Sequence, residues 1–100
     1  MTYTIEDMSQ DMHELSGAVG LCDKTQLTIH VYPKMAPAKQ WSTLWHEILH
    51  SMFEESSIDV KDEEDIVGSL ERIMCSVFRD NPTLLKNLTK VLRGKDYNRP

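Results

Sequence analysis

The stretch PAKQWSTLWHEILHSMFEE, residues 37–55, decides how the chain folds. Trp41, Leu44, Trp45, Ile48, Leu49, Met52 and Phe53 recur at spacings of three and four, the period of an amphipathic helix. Pro37 suits the first helical turn, where its missing N–H leaves no bond unmade, and Ser56-Ser57 break the pattern beyond. On a wheel of about 100° per residue the apolar stripe centres near Trp41, Ile48 and Met52. His46 and His50 fall roughly 120–160° from that centre, on a second face of the helix.

Outward from this helix the pattern continues on both sides. Residues 60–62 lead into a second helix whose stripe is Ile66, Val67, Leu70, Ile73, Met74, Val77 and Phe78. Asn81-Pro82 stops it, because proline disfavours helix in the residue before it. Residues 83–93 read as a third helix closed by Gly94. On the amino-terminal side, Leu27, Ile29 and Val31 alternate with Thr28, His30 and Tyr32, the period of a half-buried strand ended by Pro33. Residues 3–5 suit a short strand, and residues 6–16 are loosely helical before Gly17 and Gly20. The expectation is a single α+β domain over residues 1–100. It has a small antiparallel sheet of two or three strands, an active-site helix, a second helix and a C-terminal helix.

One hundred residues suffice for one modest core and not for two. A hydrophobic share of 40% with 27% charged residues is an ordinary globular balance. No apolar run is long enough to span a bilayer, and residues 1–10 lack the basic-then-apolar order of a signal peptide. The net charge of −5 disfavours a nucleic-acid partner, since phosphate binding calls for a basic surface. Only residues 86–99 are locally basic, with five Lys or Arg and one Asp, which reads as a solvated helix end. Cys22 and Cys75 are far apart and form no CxxC pair; they are expected as free thiols in a reducing compartment, Cys75 packing in the core.

The chemistry lies in His46-Glu47-Ile48-Leu49-His50, an HExxH pattern. Histidines at i and i+4 project from one helix face, so two imidazoles can reach one metal ion. Glu47 is placed to act on water at that ion as a general base, not as a ligand. A zinc hydrolase needs a third protein ligand and an open fourth position. Residues 51–56 lack the glycine and third histidine of HExxHxxGxxH, which favours a carboxylate as third ligand. Asp62-Glu63-Glu64-Asp65 opens the second helix. Such acidic residues also complement a helix N-terminus, so the cluster has a purely structural use as well. Glu64 lies off the second stripe much as His46 lies off the first, whereas Glu63 lies nearly on the stripe. Helical geometry leaves both as candidates.

The run Thr43-Leu44-Trp45-His46-Glu47-Ile48-Leu49-His50 follows a TIHV strand and precedes Glu63-Glu64-Asp65-Ile66-Val67 and Arg79-Asp80-Asn81-Pro82. Together these resemble small phage and prophage metallopeptidase-like proteins of the minimal gluzincin type, over residues 20–85. The resemblance implies a zincin-like fold, a Zn2+ ion held by His46, His50 and Glu64, and Glu47 as catalytic base. It also implies a peptide or protein substrate and a cytoplasmic, bacterial or phage setting. The other reading of the chain is a non-enzymatic binding protein with a structural or vestigial zinc site. Glu71 and Arg72 stand where small or apolar residues are expected. His30, His13, Tyr32 and Tyr97 are the candidate oxyanion stabilisers by residue type. The strand of residues 27–31 is a candidate for aligning an extended substrate by edge pairing.

Overall fold

The computed structural model of the chain describes residues 2–57 and 59–93. The elements are β1 (Thr4–Asp7), α1 (Gln10–Ser16), β2 (Gly20–Asp23), β3 (Thr28–Val31), α2 (Pro37–Ser56), α3 (Glu63–Asp80) and α4 (Leu84–Arg93). The class is α+β, as the periodicities predict. Gly94 and Tyr97, given roles above, lie outside the described residues.

The sheet runs in the order β1-β3-β2, so β3 is its central strand. β2 and β3 form an antiparallel hairpin, with Gly20 opposite Val31 and Asp23 opposite Thr28. Its turn is held by Asp23 Oδ1, which accepts the N–H groups of Thr25 and Gln26 at 3.0 Å each. β1 instead pairs with β3 in parallel, from Thr4 opposite Thr28 to Asp7 opposite Val31. The expected antiparallel sheet is therefore corrected to a mixed one. α1 reverses the chain, so β2 runs against β1 and the hairpin returns β3 in the direction of β1. β3, paired on both edges, is also the most buried strand, with Thr28, Ile29 and Val31 all buried. Edge pairing of a substrate by residues 27–31 is excluded by the same order, since both edges of β3 are occupied.

α1 is fixed at both ends. Ser9 Oγ accepts the Met12 N–H at 3.1 Å, and Gly17 closes the helix in the left-handed conformation, φ 69°. α2 starts at Pro37 and ends at Ser56, capped by Ser57, whose φ of 58° stops the helical run. The apolar core comprises Met8, Ile29, Val31, Leu49 and Val67. α2 packs against β2 and β3 on one flank and most extensively against α3 on the other. Between the helices Trp45 stacks on Phe78 at 5.3 Å, with Trp41 edge-on to both.

Packing on two flanks corrects the expected stripe of α2. Leu49 is buried, whereas Met52 is 55% exposed, so the buried line is rotated away from Met52. The apolar stripe of α3 also divides. Val67 is fully buried, but Ile66, Ile73 and Val77 face solvent. α4 buries none of its residues. Both cysteines are free and half-buried, so Cys75 is not the core residue expected. Burial is the chief influence raising both thiol pKa values. Among the described residues no helix is long and apolar enough to cross a membrane.

Candidate metal centre

α2 and α3 carry every side chain of the centre. His46 and His50, one turn apart on α2, place their Nε2 atoms 3.3 Å from each other. Glu64, in the first turn of α3, reaches both: Oε1 lies 2.8 Å from His46 Nε2 and Oε2 lies 2.9 Å from His50 Nε2. Among the described residues, His46, His50 and Glu64 form a group whose donor atoms all lie within 4.8 Å of one another and could hold a metal ion. Of the two carboxylates left open by helical geometry, Glu64 is therefore the one that converges on both Nε2 atoms.

Glu63 has a different partner. Its Oε2 accepts from His50 Nδ1 at 2.6 Å. Glu71 does the same for His46, accepting from Nδ1 at 2.7 Å. Each imidazole is thus clamped at Nδ1 by its own carboxylate, which fixes the ring and directs Nε2 toward Glu64. This accounts for Glu71 standing where an apolar residue was expected. The next residue, Arg72, turns outward to Ser69 Oγ at 3.3 Å. Sequence reasoning missed both clamps, although the seven-residue spacing of Glu64 and Glu71 puts them on one helix face.

The surroundings set the charge states. Burial works to lower the His46 pKa, but the hydrogen bond to Glu71 and the charges of Glu64 and Glu47 overcome it, and the pKa is raised. Glu47 also has a raised pKa, chiefly because burial removes its carboxylate from water, with the two histidines opposing. Gly20 of β2 covers it: a Cβ added there would lie 2.9 Å from Glu47 Oε2 and 2.6 Å from Thr43 Cγ2. Glycine is what lets the strand lie so close to the helix. Beside these residues a cleft of about 280 Å³ is lined by Val19, Gly20, Thr43, His46, Glu47 and Glu71.

Of the candidate oxyanion groups, those within the described residues, His13, His30 and Tyr32, do not line this cleft. His13 Nδ1 is 2.8 Å from the Ala18 carbonyl oxygen and its ring stacks on Tyr32 at 3.8 Å, while the Tyr32 hydroxyl donates to Gln10 Oε1 at 2.8 Å. His30 sits at a register position one residue from Ile29 and Val31, on the opposite sheet face to Gly20.

Two imidazole nitrogens and a carboxylate are a donor set that suits a borderline divalent cation. No family model, curated protein or solved structure matches the chain.

Proposed function

We propose that the chain is a zinc-dependent metallopeptidase whose ion is held by His46, His50 and Glu64. The observation that supports this reading is the division of labour among adjacent carboxylates. Glu64 faces both Nε2 atoms, Glu63 and Glu71 hold the Nδ1 atoms, and Glu47 stands apart from the ligand group on the cleft wall. When bound, the ion supplies Lewis-acid activation of water and of a substrate carbonyl. Glu47 is the proton acceptor: desolvation raises its pKa toward the range in which a carboxylate serves as a base near neutral pH. A peptide would lie along the outer edge of β2, which borders the cleft at Gly20. In an antiparallel pair, N–H and C=O groups of alternate residues point outward, which on β2 makes Gly20 and Cys22 available. The free cysteines fit the reducing cytoplasm of a bacterial or phage-infected cell.

Glu47→Gln tests the mechanism directly. The variant should bind zinc with a stoichiometry of about one and cleave no peptide in a library digest that the parent protein cleaves. Turnover retained in the zinc-loaded variant would overturn the proposal. A parent that binds zinc but cleaves nothing would favour the structural-ion reading instead.

A further inference from the structure

The cleft beside the metal centre has two chemically different ends. It follows α2, because the chain of β2 runs alongside that helix in the same sense. Gly20 lies over Thr43 and Glu47, and further along Lys24 Nζ is 3.2 Å from Glu54 Oε2. Ala18 and Val19 accordingly fall toward the amino-terminal end of α2, where Lys39 and Ser42 complete the lining. Glu47, Glu71 and His46 line the other end. Lys39 is the one lysine or arginine of the lining, and it is exposed. Among the described residues its ammonium group has no ion-pair partner. The first turn of α2 holds no acidic residue to neutralise it. Ser42 Oγ already donates to the Lys39 carbonyl oxygen at 3.1 Å, which leaves the ammonium group as the charged donor of that end.

We propose that this end is a carboxylate subsite, in which Lys39 selects peptides carrying an acidic side chain or a free terminal carboxylate. The proposal rests on the peptidase reading of the metal centre. Its spacing follows from the helix. Lys39 and His46 are seven residues apart, on one face of α2 and about 10 Å from each other along its axis. An extended peptide covers that distance in about three residues. The selected carboxylate is therefore about three residues from the bond to be cleaved. Repulsion sharpens the position. Nearer the centre a substrate carboxylate would meet Glu47 and Glu71, and the chain as a whole carries a charge of −5. An acidic group is thus favoured only where Lys39 faces it.

Blocked alanine-based peptides carrying one Glu at successive positions test the subsite, beside their Gln counterparts and Gln peptides with a free C-terminal carboxylate. Cleavage is followed as kcat/KM with the zinc-loaded parent, and binding by calorimetry with the zinc-loaded Glu47→Gln variant. At the matching position Glu should improve both about two- to fivefold over Gln, a gain that shrinks at high salt. A gain in the first set alone marks a side-chain carboxylate; a gain in the last set marks the chain terminus. Lys39→Gln should remove the gain and leave the blocked Gln peptides as they are in the parent. Lys39→Glu should transfer the preference to peptides with Lys at that position, a swap that misfolding does not produce. Cleavage without a carboxylate preference, or a preference that survives Lys39→Gln, would overturn the subsite and leave the peptidase reading standing. A Lys39-dependent binding preference in a parent that cleaves nothing would sustain the subsite and overturn the peptidase reading. Neither cleavage nor preference would overturn both.

Discussion

Glu71 Oε1 lies 2.7 Å from His46 Nδ1, and on the opposite side of the same ring Glu64 Oε1 lies 2.8 Å from Nε2. One imidazole is thus held between two carboxylates of α3, one at its Nδ1 side and one at its Nε2 side. The roles of the three α3 carboxylates can be separated by their effects on zinc. Glu64→Ala should abolish tight zinc binding. Glu71→Gln and Glu63→Gln should keep the site but weaken affinity about 10–100-fold. Competition titration against a chromophoric chelator reads all three; equal losses for Glu63 and Glu64 would contradict the assignment.

Zinc should stabilise the fold, because the ligands meet only when α2 and α3 are packed. At an ion concentration one hundred times Kd the gain is about 2.7 kcal/mol. For a domain of this size that raises Tm by about 10–20 °C. Calorimetry with and without chelator measures it; an unchanged Tm would count against any tight metal site.

Gly20→Ala places a methyl group 2.6 Å from Thr43 Cγ2 and 2.9 Å from Glu47 Oε2. Thr43 is buried and has no room to retreat, so β2 has to move off the helix, at a cost of about 1–3 kcal/mol. Denaturant midpoints give the cost. In the zinc-loaded protein the variant should also cleave more slowly than the parent, since Glu47 is displaced while the ligands are not.

The pH dependence of the metal-free protein should run downhill. The raised Glu47 pKa means that the folded state holds that proton more tightly than the unfolded chain, so stability falls as pH rises above the unperturbed 4.5. The raised His46 pKa has the same sign: its contribution is complete below 6.5 and is lost as pH rises through the higher folded value. Unfolding midpoints in chelator between about pH 5 and 8 should therefore decline, and His46→Gln should flatten the upper part. Zinc affinity runs the other way, rising with pH, because the ion takes the site of the His46 Nε2 proton.

Much of this architecture is legible in the residues, for identifiable reasons. Helical periods are local, so α2, α3 and α4 stand within a residue or two of the expected spans, and the i, i+4 spacing places His46 and His50 on one face. For the third candidate ligand the residues leave two neighbours open, because adjacent helical residues differ by about 100° and either can be swung to the seam by a change in helix packing. The sheet was less legible. Nothing in Thr28–Val31 says whether its neighbours run parallel or antiparallel, since that depends on where α1 returns the chain. Nothing around Glu71 in the sequence points to its role, because its partner His46 is 25 positions away on another helix, beyond the reach of any single-element pattern.

That same separation has a consequence for how the centre comes into being. His46 and Glu71 are the most distant pair in it, and every other member lies between them on α2 and α3. Closing so short a loop costs little chain entropy, and contacts of low sequence separation form early. Pulse-labelled hydrogen exchange should show α2 and α3 protected before β1, whose parallel pairing with β3 spans the whole amino-terminal segment. An ion present while the chain is being made would then meet its ligands on a helical hairpin, ahead of the finished domain. The sheet would arrive afterwards as a wall, set against Glu47 through Gly20. If the proposed ion binds, its loading would precede the closing of the cleft, the two belonging to different parts of the chain.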